Sequence, residues 1–194
     1  AADFHRNGYY DTFPPGDGVP LTGMDITPSG DMTAFVKASD SLIVFSEWEP
    51  RIGYSFGMRT EIDSSDAPFL DGVREVCFLD DTNMVYATSK DIGRFARTGT
   101  SNWEQKEIFT SNIYQTGLME DIIALTRAPD GKHLYVLCRQ SHNLAVFSFE
   151  NGTLEEMGSA SLGNFNPAWM ELSLNGDHLL VTSENSEELL LYRI

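Results

Sequence analysis

Arg139, Ser141 and His142 fall within one short segment, "CRQSHN", at positions 138–143. An arginine steadies developing negative charge, and a histidine moves protons near neutral pH. A carboxylate to accompany them stands at Glu184, in "TSENSEEL". Arg139, His142 and Glu184 are therefore the candidate set for a hydrolysis in which water is activated and an oxyanion is stabilised. The competing reading is that the segment merely joins two strands, because "LYVLC" precedes it and "NLAVF" follows it. Other chemistries lack their signatures: there is no Gly-x-Ser-x-Gly elbow, no Gly-rich phosphate loop, no Asp-x-Asp-x-Asp-Gly calcium loop and no zinc spacing of Cys and His. No metal and no cofactor are expected. His133 and His178 each follow a glycine turn by two residues, which reads as scaffold surface, and His5 is close to the first residue given.

The elements that must position these residues repeat along the chain. Four turn segments line up: "TPSGDM" at 27–32, "LDDTNM" at 79–84, "APDGKH" at 128–133 and "LNGDHL" at 174–179. With Gly30, Thr82, Gly131 and Gly176 taken as equivalent, the spacings are 52, 49 and 45 residues. A short strand-like run precedes each turn ("GMDI", "REVCF", "DIIAL", "AWMEL"), and an apolar strand follows it ("MTAFV", "MVYAT", "LYVLC", "LLVTS"). A polar loop and a further strand come next, and the first three units add a more polar outer strand. Runs rich in Val, Ile, Leu, Phe and Tyr, bounded by Gly, Asp and Asn, read as antiparallel strands. Four-stranded units at this period are the mark of propeller blades.

The expected fold is an all-β propeller of four blade-like repeats in a single domain over 1–194, with repeats at about 20–65, 72–112, 121–163 and 167–194. The fourth repeat lacks an outer strand, and the segment 8–13 is its expected donor, closing the ring as an N-terminal strand paired into the last blade. The alternative is a partial or half propeller completed by another chain.

"PDGKHLYV" and "NGTL", with the stretch from Asp121 to Ile194 around them, resemble the lactonase-like propellers, the family that includes bacterial 6-phosphogluconolactonase and the YVTN-repeat surface proteins. The resemblance implies a propeller whose catalytic residues sit at the ends of inner strands. In that family a Glu stands five residues before the Pro-Asp-Gly turn, where this chain has Ala124. The family's Asn-Arg-Gly-His loop becomes Cys138-Arg139-Gln140-Ser141, which keeps the Arg and loses the His. A Pro-Arg pair opening the last blade becomes Pro167-Ala168. Most of the implied catalytic set is replaced (Ala124, Ser141, Ala168), and losing even one oxyanion donor costs on the order of a hundredfold in rate. The expectation from sequence is accordingly a non-enzymatic interaction or structural module, a subunit of a larger assembly with no catalytic residues. A lactonase-type hydrolase with a rearranged site, using Arg139, His142 and Glu184, is the first alternative. A small-ligand or sugar binder with aromatic walls in the central funnel is the second.

Composition bounds the partners. Twenty-nine acids against thirteen bases give a formal charge of −16, which repels nucleic acid and anionic lipid. No apolar run reaches the roughly 20 residues of a membrane helix. The expected partners are proteins or a second copy of the chain. Trp48, Trp103, Phe69 and Phe165, in loops or polar surroundings, are the interface candidates, while Trp169 is expected to pack between blades. Cys77 and Cys138 lie in apolar runs and read as lone buried thiols, although connectivity is not legible in sequence. Asn151-Gly152-Thr153 is a glycosylation sequon in a secreted protein, and an Asn-Gly hairpin turn in any setting. Acidity and the Met-less start favour a processed chain that is exported or in an organelle lumen.

Overall fold

The computed structural model describes residues 21–37, 41–48, 56–65, 67–99, 102–110 and 119–194, the side chains of 46–48 and 56–59 excepted. The chain forms four antiparallel sheets. The first blade is β1 (Leu21–Ile26), β2 (Met32–Lys37), β3 (Leu42–Trp48) and β4 (Phe56–Ile62). The second is β5 (Glu75–Phe78), β6 (Asn83–Ala87), β7 (Asp91–Arg97) and β8 (Trp103–Thr110). The third is β9 (Ile122–Arg127), β10 (His133–Cys138), β11 (Asn143–Glu150) and β12 (Thr153–Ser161). The fourth has three strands, β13 (Pro167–Leu172), β14 (His178–Ser183) and β15 (Leu189–Arg193). Strands within each blade follow one another in chain order. The innermost strands adjoin in sequence, β1 against β5, β5 against β9 and β9 against β13. This is the expected four-blade propeller. The segment 8–13, the expected closing strand, lies outside the described residues.

The turns repeat as chemistry. Gly30, Gly131 and Gly176 have φ of 79°, 70° and 76°, and each donates its backbone N–H to the carbonyl three residues earlier, at 2.9, 2.9 and 2.8 Å. Only glycine holds that left-handed turn without cost. The second repeat has Thr82 there instead, and the Asp80 carboxylate accepts from its N–H and hydroxyl at 2.7 and 2.9 Å. Asn151 and Gly152, at φ 52° and 75°, form the hairpin turn that the Asn-Gly pair foretold.

Three apolar layers lie between consecutive blades. Met32, Ala34, Ile43 and Phe45 of blade one meet Val76, Phe78, Met84 and Tyr86 of blade two. Cys77, Leu79, Val85 and Ile92 meet Ile122, Leu134, Val136 and Phe147 of blade three. Tyr135, Leu137 and Leu144 meet Met170, Leu179 and Val181 of blade four. Each large side chain so buried contributes roughly 1.5–3 kcal/mol.

The packing corrects the reading of two tryptophans. Trp103 stacks on Phe45 with ring centroids 4.5 Å apart and 16° between planes, so it packs against the layer between blades one and two. Trp169 stays 49% exposed, because Met170 is the residue of β13 that turns toward blade three. Leu189 and Leu191 on the same blade are also exposed, as Met24 and Ile26 are on blade one.

Candidate functional site

Antiparallel pairing places the residue before each of the inner strands β5, β9 and β13 beside the end of the second strand of its blade. Arg74 donates its N–H to Ala87 O at 2.8 Å, Arg139 to Asp121 O at 2.9 Å, and Glu184 to Asn166 O at 2.9 Å. These residues occupy one end of the propeller, its rim, and their side chains form a row across three blades. Arg74 Nη1 donates to Asp121 Oδ1 at 2.7 Å, and Arg139 Nε donates to Asp121 Oδ2 at 2.8 Å. Arg139 Nη1 then lies 3.6 Å from Glu184 Oε2, which also accepts from Asn166 Nδ2 at 3.2 Å. Asp121 takes this position at a left-handed φ of 58°, which only a few per cent of non-glycine residues adopt. Burial pushes its carboxyl upward, but the hydrogen bonds from Arg74 and Arg139 outweigh that, and its pKa stands below the ordinary 3.8. The hydrogen bond to Asp121 in turn raises the pKa of Arg139.

The sequence-derived set is therefore brought together in part. Arg139 and Glu184 meet. His142, at φ 49°, donates Nδ1–H to the Phe165 carbonyl at 2.7 Å, which leaves Nε2 as the ring's acceptor. Of the interface candidates, Phe69 is exposed on a 3-10 turn (Pro68–Leu70), and Phe165 packs against the layer between blades three and four. The side chain of Trp48 lies outside the described set. Both cysteines are buried and unpaired.

A second cluster, which the sequence reading missed, lines the channel beside the rim. Met24, Asp25, Glu75, Val76, Cys77, Leu125, Thr126 and Arg127, all on inner strands β1, β5 and β9, line an open cavity of about 210 Å³. Among the described residues, none that lines the cavity is aromatic. Glycine lets the strands approach: a β-carbon at Gly23 would stand 2.7 Å from the Arg74 carbonyl oxygen and 3.2 Å from Glu75 Oε2. Asp25 is fixed by two backbone donors, Ile26 N–H at 2.8 Å to Oδ1 and Phe78 N–H at 2.7 Å to Oδ2. Arg127 donates to the Leu79 carbonyl at 3.0 Å. Burial first, and then the charge of Asp25, push the Glu75 carboxyl up to about 7. Burial also raises Asp25, against the pull of its two backbone donors and Arg127. The Cys77 thiol is driven upward by burial and by Asp25, so it stays protonated and unreactive.

One signal in the sequence pointed to this cluster. Glu75 stands seven residues before Thr82, and Gly23, Ala124 and Trp169 stand seven before Gly30, Gly131 and Gly176. Glu75 thus supplies, on the neighbouring inner strand, the carboxylate absent at Ala124.

Residues 26–194 match the lactonase, seven-bladed β-propeller family. The chain belongs to that family. Among solved structures, a candidate 6-phosphogluconolactonase from Bacteroides uniformis superposes with a TM-score of 0.67 at 21% identity, over 89% of this chain and 50% of that one. The periplasmic gluconolactonase of Pseudomonas aeruginosa gives 0.67 at 18% identity, over 89% and 49%. A candidate 6-phosphogluconolactonase from Bacteroides fragilis gives 0.67 at 19% identity, over 89% and 50%. At such identities the likeness shows the fold, and the chain spans about half the length of these structures. No curated protein sequence matches.

Family membership overturns the expectation of a non-enzymatic interaction or structural module. That expectation scored catalytic positions one at a time, at Ala124, Ser141 and Ala168 on the last two blades. The charged groups gather instead across blade boundaries, with Asp25 on blade one and Arg74 and Glu75 at blade two.

Proposed function

We propose that the protein is a lactonase-type hydrolase that opens the cyclic ester of a small sugar acid by adding water. Membership of the lactonase family over residues 26–194 is the observation that carries this reading. The chemistry requires a group that takes a proton from water and a donor that meets the oxyanion formed at the ester carbonyl. Arg139 is that donor: two acidic side chains fix its guanidinium, yet the side chain is 38% exposed at the rim. His142 is oriented by its bond to Phe165, and Asn166 holds Glu184 toward Arg139.

The formal charge of −16 opposes the approach of an anion, which favours an uncharged lactone over a phosphorylated one. Opening of glucono-δ-lactone, followed by proton release in weak buffer against the spontaneous rate, tests the reading. Acceleration by the protein, exceeding that of the 6-phosphorylated lactone, is the expected outcome. A rate indistinguishable from buffer would remove the hydrolase assignment.

A further inference from the structure

The rim carboxylate Asp121 is a poor proton acceptor, because two arginines hold it. Asp121 lies between Arg74 and Arg139, and Glu184 is tied to Arg139 and Asn166. Glu75 differs in every respect that matters for accepting a proton. Among the described residues it has no hydrogen-bond or ion-pair partner, and it lines the cavity. Every charged or titratable neighbour around the cavity is otherwise engaged or inert. Asp25 of β1 is occupied by two backbone donors, Arg127 of β9 by the Leu79 carbonyl, and Asp121, just before β9, by two arginines. The Cys77 thiol on the same strand is buried and neutral. Gly23 opposite gives the carboxylate its room, because a β-carbon there would stand 3.2 Å from Glu75 Oε2.

We propose that Glu75 is the catalytic base of lactone opening. Its ionised carboxylate takes one proton from the attacking water as the new C–O bond forms at the ester carbonyl. It returns that proton to the ring oxygen as the original C–O bond breaks, so the product is the open hydroxy acid and Glu75 is regenerated. The inference rests on the hydrolase reading, and it divides the work between a rim that holds charge and a channel that moves the proton. Asp25 is a positioning residue: its fixed negative charge keeps Glu75 basic enough to act.

The base works ionised, and its carboxyl titrates at about 7, so kcat/KM rises with pH through that value and levels off above it. Rate profiles from pH 5 to 9, with melting temperature as a check on folding, provide the test. Glu75→Gln, nearly the same shape, lowers kcat/KM by on the order of a hundredfold or more and abolishes the limb near neutrality. Glu75→Asp retains the limb at a reduced rate. Glu171→Gln, on the exposed face of blade four, leaves rate and profile unchanged. A Glu75→Gln protein that keeps more than a third of the rate with the limb intact overturns the assignment of Glu75 alone. If the unsubstituted protein opens no lactone, the hydrolase reading and this inference fall together.

Discussion

Asp121 on the rim and Glu75 in the channel are carboxylates on adjoining blades, and their affinities for protons move in opposite directions. Both are partly withdrawn from water, which by itself raises a carboxyl pKa. On the rim the cost is exceeded by hydrogen bonds from Arg74 and Arg139 at 2.7 and 2.8 Å. In the channel no cation pairs with Glu75 among the described residues, and the charge of Asp25 adds to the cost, so its carboxyl reaches about 7. A residue type does not define a role in this molecule; the sign of the nearest fixed charge does. Asp121 on the rim is built to stay ionised and hold arginines, whereas the channel carboxylate is built to exchange a proton.

The largest test of that contrast, beyond Glu75 itself, is removal of the rim cation. Arg139→Ala is expected to lower kcat/KM by on the order of 10²–10³ at all pH values, in the range measured for loss of an oxyanion donor. The limb near neutrality should stay where it was. Arg139→Lys recovers little, because a point ammonium cannot reproduce the fork that reaches Asp121 and Glu184 together. A displaced limb in either variant would mean that rim and channel are one electrostatic unit.

Next in size is the approach of β1 to β5. Gly23→Ala sets a β-carbon 2.7 Å from the Arg74 carbonyl oxygen, so the strands must separate. The expected loss is about 1–3 kcal/mol of stability, read by denaturant melts, with a fall in rate as the cavity widens. An unchanged melt would show that the channel wall yields without cost.

A smaller effect is expected from Asp25→Asn. Removing the like charge beside Glu75 moves the limb toward the ordinary glutamate range, and activity persists to lower pH. A limb fixed in place would leave burial as the sole cause.

The smallest effects concern stability against pH. The Glu75 carboxyl is raised from 4.5 to about 7 on folding, so its stabilising contribution is complete below pH 4.5 and is lost as pH rises through 7. Asp121 is shifted the other way, and its contribution is present above its unfolded value of 3.8 and lost as pH falls through its folded value. Glu75→Gln should flatten the decline in melting temperature between pH 4.5 and 7, and Asp121→Asn should flatten the acid-side loss.

The scaffold was largely legible because its determinants are local. Gly30, Gly131 and Gly176 announce their turns by conformation, and the hairpin at Asn151-Gly152 needs only two adjacent residues. The junction of Arg139 with Glu184 was legible too, since both occupy the same repeat position in successive blades. Trp169 was misplaced because a strand shows alternate residues to opposite faces, and sequence did not say which face of β13 meets blade three. Asp121 and Arg74 were missed because they lie 47 residues apart on adjoining blades, and Arg139, which also holds Asp121, is 18 residues away across blade three.

The sequence alone determined the repeat, the strands, the turns and the acidic character of this protein, all of which follow from nearest neighbours in the chain and from composition. Tertiary structure alone decided which carboxylate is clamped and which is left to move a proton. That choice depends on desolvation and on charges brought within a few ångströms by blades distant in sequence: Asp25 is 50 residues from Glu75, and Arg127 is 52.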